Sequence, residues 1–542
     1  MELGKEIATL WLNRRDMAIK YRQRAYDPLV HTIQRYYHTN KAILFPDAGE
    51  SMHNRPFATP NNFHEISVAL VGQFVRIMLP YVFFKVPNRT VAPRNFGQLQ
   101  QLQAMVYGVP QIMASPAMQK AQIQSAIGGF LLNLAADDGM FNLRGETRRA
   151  TQEALISGRG ILWTELVTTP YGTFPGSFYE SQENVVIDPD HDSVRDANYI
   201  MRRRERPSWE VAEEFKLPIE KVRGKGKSWE QRASDKSGTG ARYQEDENDI
   251  CEYWEVYSKM GLGHRIVEDD DLRKRFELAS EKCGDNVYLA VMDGVEFPLN
   301  MDPEKAATKS EAELIQDLQW PIQLHGDFNN PWPFSRLDFY EDGIYPKPPL
   351  EDALPLQQFL DFAYYYMMDS IKASSRNMLL VDETVGKELE KALESGKNWQ
   401  IVKLKIAAPD ISKMVEHLHF DGNFTELFQV ISAVKREWEE STGMNTLLQG
   451  ASPEKMFRSS AEAQIRQSNS QIRPDDLRDC VLAFQGEAAR KEHAAQRLTM
   501  RADVAVYLGE DTASQVKGPL TMAWLQNLAT DDPWTAAQEE DV

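Results

Sequence analysis

Cysteine is scarce in this chain. Its three cysteines, Cys251, Cys283 and Cys480, are far apart among 542 residues, and none belongs to a CxxC pair. So few and so scattered thiols exclude a disulfide framework and a zinc knuckle. We therefore expect free thiols in a reducing compartment. We also expect no metal and no other cofactor.

A long uninterrupted apolar run is missing as well. The most apolar stretch, ISVALVGQFVRIMLPYVFFKV at 66–86, is broken by Gln73, Arg76 and Pro80. A membrane-spanning helix needs about 20 consecutive apolar residues. The stretch instead predicts a buried helix followed by an extended segment after Pro80. The charged N-terminus, MELGKEIATLWLNRRD, does not fit a secretory signal. The sequence thus predicts a soluble protein without membrane contact.

Positive charge is in deficit. The chain has 61 Lys and Arg against 80 Asp and Glu, a formal net charge of −19. A sequence-independent grip on nucleic acid needs clustered cations that displace counterions. The acidic net charge argues against tight, sequence-independent binding of nucleic acid. It is compatible with a protein that contacts DNA without binding it tightly. The basic clusters at 202–204, 221–227 and Lys435–Arg436 are interpreted as solvated faces.

Two short motifs resemble functional loops but lack required residues. GKGKS at 224–228 contains the GKS of a phosphate-binding loop, yet Lys221 stands where that motif needs Gly. DPDHD at 188–192 begins like a calcium loop, but Ser193 replaces its Gly and Tyr199 its final Glu. We interpret the first as part of an exposed insertion. The second is interpreted as a solvated turn in which carboxylates bind backbone donors.

Other chemistry-bearing residues form no pattern. His417 and His419 share one face if 414–420 is a strand, but no third ligand lies within sequence reach. Cys480 falls in a helical apolar pattern and is predicted to be core. No Ser/His/Asp spacing or nucleophile elbow occurs. The sequence therefore names no catalytic residue, and we do not expect an enzyme.

The N-terminal part changes from helical to strand-like periodicity. Helices are expected over 1–45, about 64–79 and about 116–158. Asp293-Gly294 predicts a hairpin turn. Residues 220–249 are interpreted as a mobile insertion and 320–349 as irregular extended chain. The segments predicted as strands are ILWTELVTT, ENVVID, CEYWEVYSKM and NVYLAVMDG.

Beyond Pro349 the elements follow a definite order. A helix comes first, with one apolar face formed by Leu356, Phe359, Leu360, Ala363, Met367 and Ile371. A small α/β module follows, with strands NMLLVDE and WQIVKLKI and a short helix capped by Thr384. The next helix has apolar residues at Phe424, Leu427, Phe428, Ile431, Val434 and Trp438.

The last part of this order is a loop and a long helix. The loop, TGMNTLLQGASPEKMFRSS, starts where Gly443 can end a helix. Ser459 and Glu462 form a capping box that can begin the next one. Pro474 lies inside that helix and predicts a kink, because proline removes a backbone donor.

This order, with EESTGMNTLLQGASPEKMFRSSAEAQ at its centre, resembles that of the portal proteins of tailed bacteriophages. GRGILWTELV and ENVVIDPDHDSVRDANYI, within 158–200, also resemble that family's wing region. The resemblance implies an α+β, portal-type subunit that assembles into a ring. It divides the chain into a wing of helices and strands (1–349), a first stem helix (350–374), an α/β clip (375–422), a second stem helix (423–442), a tunnel loop (443–458), a long kinked helix (459–500), and a short helical crown with an acidic tail (501–542).

Such a resemblance implies a DNA channel at one capsid vertex, through which double-stranded DNA is packaged and later ejected. The implied partners are the chain itself in a dodecameric ring, the large terminase ATPase, major capsid and scaffolding proteins, and head-completion or tail adaptor proteins. Double-stranded DNA would be a non-specific sliding contact. The implied location is the virion, with host cytoplasm during assembly. No catalytic, metal or cofactor residue is implied.

The resemblance also implies two sets of site residues. The DNA-facing tunnel loop would present Asn445, Gln449, Lys455 and Arg458. The clip, which contacts the terminase or an adaptor, would present Lys387, Glu390, Lys391, Glu394 and Lys397. Two alternatives stay open, namely another virion structural protein such as an adaptor or scaffold, and a nucleotide-dependent enzyme that uses the GKS segment.

Overall fold

A computed structural model gives the fold of the described part of the chain. The described residues are 2–38, 60–90, 128–129, 131–137, 139–169, 172–223, 250–267, 269–301, 315, 317–322, 330–341, 343–375, 378–381, 415–418, 424–444, 448 and 460–499. The chain is a mixed α+β protein with small antiparallel sheets, as the sequence predicts. It divides into two compact units, one of Met1–Pro46, Val71–Glu351 and Thr446–Val542, the other of Asp47–Leu70 and Asp352–Asn445.

Several helices of the described part of the chain precede the sheets. Helices α1 (Glu2–Ala25) and α2 (Asp27–His38) occupy the segment predicted to be helical at the N-terminus. Helix α3 (Pro60–Val82) continues two residues past Pro80 before the extended chain begins. Helix α4 (Leu143–Ser157) is capped by Asn142, whose side chain accepts from the Gly145 amide, and ends at Gly158 with a φ of 93°. The long helix expected over 116–158 is therefore interrupted, because residues 139–141 form a turn.

The strands of the first unit form two antiparallel sheets. In chain order the strands are β1 (Arg159–Thr169), β2 (Gly172–Glu180), β3 (Val185–Ile187), β4 (Tyr199–Pro207), β5 (Ile250–Ser258), β6 (Val287–Met292) and β7 (Phe334–Asp338). The first sheet has the order β2-β1-β7 and the second β3-β4-β5-β6. The predicted strands are present, and β2, β4 and β7 were not predicted.

An aromatic core joins the inner faces of the two sheets. Trp163 of β1 stacks on Phe334 of β7 at 5.4 Å between ring centroids and contacts Tyr257 of β5 at 5.4 Å. Trp320 and Trp332 stack on each other at 5.4 Å and close the same cluster. Alternation along β1 sends its odd-numbered residues to this core. The two sheets therefore pack face to face as a sandwich around this core.

Helices cover both outer faces of this sandwich. Helix α4 packs on β1 so closely that a Cβ on Gly160 would lie 2.2 Å from the Ala150 carbonyl oxygen. On the other side, Trp11 of α1 is buried and donates its indole N–H to the Leu262 carbonyl at 3.1 Å. Phe276 of α7 (Asp270–Cys283) joins the same cluster. Helices α5 (Ser208–Glu214) and α6 (Ile219–Val222) lie between β4 and β5 in the chain.

The second unit contains a helix, a pair of strands and a second helix. Helix α8 (Leu354–Ser375) leads to β8 (Met378–Val381), which pairs antiparallel with β9 (Val415–Leu418), and α9 (Phe424–Thr442) follows. Gly443 ends α9 with a φ of 74°, as the sequence predicts. Both predicted helices are thus present, as is the NMLLVDE strand. The Thr384 helix, the WQIVKLKI strand and His419 lie outside the described residues.

Helix α10 (Ser460–Thr499) returns to the first unit and continues through Pro474. It contacts the first sheet, where the Lys491 ammonium donates to the Trp332 carbonyl at 2.8 Å and to the Phe334 carbonyl. Glu487 accepts from the Asn330 amide at 2.6 Å, and Arg89 pairs with Glu492. The long helix predicted from the capping box is therefore present, although Ser459 itself lies outside the described residues.

The hairpin predicted at Asp293-Gly294 is wrong. The turn exists, with Gly294 at a φ of 81°, but the described residues after it, 295–301, form bends and a turn instead of a strand. The Leu299 amide donates to the Ala290 carbonyl at 2.7 Å, and the Asn300 side chain donates to the Tyr288 carbonyl at 2.8 Å. These bonds satisfy part of the outer edge of β6, so a further strand is not needed there.

Candidate functional site

The most unusual surface of the described chain lies on the two helices of the second unit. Helices α8 and α9 contact each other. Their inward residues are buried, with Trp438 at 0% exposure, Leu360 at 1% and Ile431 at 5%. Ala363 and Met367 are buried on the same face of α8. The periodicity of the sequence thus locates the contact between the helices correctly.

Both helices also expose aromatic side chains. Phe359, Phe362 and Tyr366 of α8 are 45%, 64% and 54% exposed, and the rings of Phe362 and Tyr366 stack at 6.5 Å. We call these three residues the aromatic ridge. Phe428 of α9 is 55% exposed. The sequence grouped Phe359 with the apolar face of the first helix and Phe428 with the apolar residues of the second, and both rings are exposed, unlike the buried residues of the same patterns.

The outward face of α9 carries a shallow, open depression. Its lining consists of Thr425, Phe428, Gln429, Ser432, Ala433 and Arg436, which recur at three- and four-residue spacing on one side of the helix. We call this the α9 groove. Arg436 is highly exposed and pairs with Glu440 one turn later at 3.4 Å. The interpretation of Lys435–Arg436 as a solvated face is confirmed, since both side chains are exposed.

In the first unit, five charged side chains meet between the two sheets. Arg202 of β4 pairs with Glu165 of β1 and, at 2.5 Å, with Glu180 of β2. Arg204 pairs with Glu165 and, at 3.3 Å, with Glu255 of β5. The Arg202 guanidinium also lies 4.5 Å from the Trp163 ring centroid. We call these five residues the inter-sheet charge cluster.

The sequence missed this cluster because it took the arginines of β4 for a solvated face. The Arg202 side chain is only 3% exposed and that of Arg204 20%. Two sequence features could have located it. Alternate residues of RRRERP point to the same face of a strand, and glutamates occur in the neighbouring strands β1 and β5. Its cations are matched by glutamates, so this part of β4 does not offer free positive charge to phosphate.

Burial and pairing shift the pKa values of the glutamates in opposite directions. Burial raises the pKa of Glu255 above its usual range, and its two arginine neighbours offset only part of that effect. Burial also acts on Glu165, but Arg202 and Arg204 outweigh it and the pKa of Glu165 is lowered. The cluster is thus a set of internal ion pairs whose geometry serves the fold.

The DPDHD segment is a turn whose carboxylate binds backbone donors, as interpreted from the sequence, but Asp188 is buried and not solvated. Asp188 is 1% exposed, and its carboxylate accepts from the amides of Asp190 at 3.2 Å and Asn198 at 3.1 Å. His191 lies 3.2 Å from the same carboxylate. Within the described part of the chain, no group of three or more His, Cys, Asp or Glu side chains is placed to hold a metal ion.

The three cysteines are free, as expected. Cys251 is buried, while Cys283 and Cys480 are half-buried. The prediction that Cys480 belongs to the core is therefore only partly correct. Burial raises the pKa of the Cys480 thiol, and the neighbouring Asp476 and Asp479 add to the effect. His417 lies on β9 opposite Leu379 of β8.

The site residues implied by the family resemblance lie outside the described residues. This holds for the tunnel-loop set, Asn445, Gln449, Lys455 and Arg458, and for the clip set, Lys387, Glu390, Lys391, Glu394 and Lys397. The GKS segment lies outside them as well. Of the predicted tunnel loop the structure describes Gly443, Met444 and Leu448, and the last two are buried at 1% and 6% exposure.

Comparison with known proteins adds no family. No protein-family model matches the chain, and no curated protein matches it at a significant level. Among the helices that the structure describes, none is long and apolar enough to cross a membrane.

Proposed function

We propose that the chain is the subunit of a portal ring of a tailed bacteriophage, a channel at one capsid vertex through which double-stranded DNA enters and leaves. The observation that carries this proposal is the second unit, in which two helices flank a strand pair and bear aromatic side chains that the described residues leave exposed. A stem helix, a clip and a second stem helix would have this order. Neighbouring subunits would cover the exposed rings.

The segment after α9 supports the same assignment. Helix α9 ends at Gly443, and α10 begins at Ser460 and continues for 40 residues through Pro474. A tunnel loop followed by a long helix would occupy these positions. The loop's described residues Met444 and Leu448 are buried. Lys455 and Arg458, further along, are the proposed contacts to phosphate, with Asn445 and Gln449 as polar sliding contacts.

The charge distribution supports a channel that does not hold DNA. The chain carries a net charge of −19, and Arg202 and Arg204 are paired with glutamates between the sheets. An acidic wall repels phosphate, and a few cations at a constriction can steer or slow the moving duplex. The ring is proposed as dodecameric and non-enzymatic, with the terminase ATPase and tail adaptors docking at the clip residues 387–397.

Native mass spectrometry of the purified protein tests this proposal. We expect a closed oligomer whose mass is that of twelve 62.0 kDa chains. Monomers at every protein and salt concentration would contradict it. A small open oligomer would favour an adaptor or scaffold.

The enzyme alternative has its own test in the GKS segment. If the chain is a channel subunit, the purified protein hydrolyses ATP no faster than a Lys227→Ala variant. Hydrolysis that disappears in Lys227→Ala, while the oligomeric mass is unchanged, would instead support a nucleotide-dependent enzyme.

A further inference from the structure

The inter-sheet charge cluster lies inside the sandwich, between two apolar clusters. Alternation along β5 places Glu255 on the same face as Tyr253 and Tyr257. Tyr257 belongs to the aromatic core around Trp163, and Tyr253 belongs to a second apolar cluster with Cys251. Glu255 itself is 5% exposed. Its carboxyl therefore lies in surroundings that disfavour a charge unless a cation matches it.

The cluster contains one more acidic group than basic groups. Its three carboxyls and two guanidiniums have side-chain exposures between 3% and 24%, and they belong to Glu165, Glu180, Glu255, Arg202 and Arg204. The next cation on this face of β4, Arg206, is 36% exposed and pairs outside the cluster with Glu214 at 3.6 Å. Full ionisation would leave one negative charge unmatched in the interior. A buried carboxyl in that position binds a proton instead.

The contacts show which of the three carboxyls is matched least. Glu165 pairs closely with both Arg202 and Arg204, and Glu180 pairs with Arg202 at 2.5 Å. Glu255 is farther from both cations, since its Oε1 lies 3.3 Å from Arg204 Nε and its Oε2 lies 3.7 Å from Arg202 Nη1. No described residue forms a hydrogen bond to this buried Oε2. Glu255 is therefore the carboxyl at which a proton can replace the missing cation.

The titratable groups of β5 and β6 around Glu255 add no positive charge. Tyr253 and Tyr257 flank it on β5, Ala290 lies opposite it on β6, and Tyr288 packs on Tyr257 at 5.2 Å between ring centroids. Burial, together with the neighbouring Glu255 carboxyl, raises the pKa of all three phenols, which therefore stay neutral. Burial also raises the pKa of Glu255, against the effect of the two arginines.

We propose that the inter-sheet charge cluster binds one proton at neutral pH and that Glu255 carries it. With the proton bound, two carboxylates face two guanidiniums and the contact between the sheets is neutral. Loss of the proton leaves one unmatched negative charge between β1, β4 and β5. The stabilising contribution is complete below the pKa of an unfolded glutamate and is lost as the pH rises through the raised pKa of the folded chain. This proposal concerns the sandwich alone and does not rest on the proposed ring.

Infrared spectroscopy of the folded chain tests the assignment. A Glu153→Gln background is used throughout, because burial raises the pKa of Glu153 to about 7 and its carboxyl would add to the signal. At pH 7 this background should show the C=O band of a protonated carboxyl, and adding Glu255→Gln should remove the band. Glu214→Gln, which replaces a more exposed carboxyl outside the cluster, should keep it. A band that is absent from the background, or that persists in Glu255→Gln, would overturn the proposal.

Urea unfolding in the same background gives an independent measurement. Glu165→Gln removes an ionised carboxylate shared by two guanidiniums, so at pH 7 the equilibrium constant for folding should fall by roughly a hundredfold or more. Glu255→Gln replaces a neutral carboxyl by an amide of the same shape and should cost far less. Above pH 7 the background should lose stability that Glu255→Gln keeps. Equal losses in the two variants at pH 7 would show that Glu255 is ionised. If Glu165→Gln does not fold, the infrared comparison decides.

Discussion

The two units of this chain differ in the side chains that characterise them, buried ion pairs in the first and exposed aromatic rings in the second. In the first unit, buried charged side chains form ion pairs. Examples are the inter-sheet charge cluster and the pair of Arg159 with Asp338 at 2.6 Å. In the second unit, the exposed side chains of α8 include a strip of aromatic rings. The first unit also exposes large apolar side chains, such as those of Phe84, Trp209 and Leu278, but on α8 three exposed rings follow one another on one side of a single helix.

This difference separates folding from assembly. Substitutions within the sandwich should reduce the stability of the single chain, and substitutions on the ridge or groove should reduce assembly alone. The following predictions test that separation in order of their expected effect on chain stability.

The largest loss should come from Arg202→Met. Removing this guanidinium leaves Glu165, Glu180 and Glu255 close together without their central cation. Breaking one side of a buried ionic network typically costs about 3–5 kcal/mol. We expect a loss of that order in denaturant unfolding at pH 7.

Arg206→Met is the matched control, because its side chain is 36% exposed and lies 3.6 Å from Glu214. It should change the stability by less than about 0.5 kcal/mol. Equal effects of Arg202→Met and Arg206→Met would show that the cluster does not stabilise the sandwich.

The next largest effect should be pH-dependent and should come from Glu153→Gln. Glu153 of α4 accepts from the Ser181 hydroxyl at 2.9 Å and the Gln182 amide at 3.1 Å, and burial raises its pKa to about 7. A carboxyl whose pKa is raised on folding stabilises the native state. This contribution is complete at pH values below the pKa that the carboxyl has in the unfolded chain. That contribution is lost as the pH rises towards 7.

Glutamine cannot ionise, so Glu153→Gln should remove this loss. At pH 8 the variant should be more stable than the natural chain by on the order of 2 kcal/mol, and the difference should shrink between pH 7 and 5. Urea unfolding at several pH values measures it. A stability difference that does not vary with pH would mean that Glu153 keeps an ordinary pKa.

Ser432→Trp should leave the single chain almost unchanged and prevent assembly. Ser432 is exposed on the outward side of α9, so a tryptophan there points to solvent and the expected change in stability is within about 0.5 kcal/mol. Size-exclusion chromatography should show smaller species than the natural protein forms. Glu437→Trp adds the same side chain outside the groove and should assemble normally; failure of both variants alike would indicate that bulk anywhere on α9 is harmful.

The smallest effect on stability is expected from Lys455→Ala combined with Arg458→Ala. Ring assembly should be normal, because these residues are proposed to contact DNA only. Packaging or retention of DNA should fall in an assembly assay, since phosphate contacts at the constriction are lost. Loss of the ring itself would assign these two residues to packing between subunits.

The sequence predicted helices better than their environments. Helices α8 and α9 were identified because their buried residues repeat every three or four positions, and Leu360, Ile431 and Trp438 are indeed inside. The same periodicity grouped Phe359 and Phe428 with these buried residues and could not show that both rings are exposed. Which neighbours stand beside a helix depends on tertiary packing and not on local spacing.

The sheets were harder to predict for a similar reason. Arg202 lies inside because strand alternation turns it towards Glu165, Glu180 and Glu255, which come from three other strands. Strand pairing across that much sequence cannot be read from one segment. The turn at Gly294 was recognised from its residue type, but the described residues after it, 295–301, form no strand, because Leu299 and Asn300 hydrogen-bond to the outer edge of β6. The implied clip and tunnel-loop residues stay predictions.

Averaged electron micrographs of the purified natural chain test the central claim most directly, namely that the second unit is completed by neighbouring copies. The account predicts closed rings with an axial hole, seen end-on, and the loss of these rings in Ser432→Trp but not in Glu437→Trp. Isolated single particles of the natural chain under all salt conditions, with the aromatic ridge still open to solvent, would contradict it.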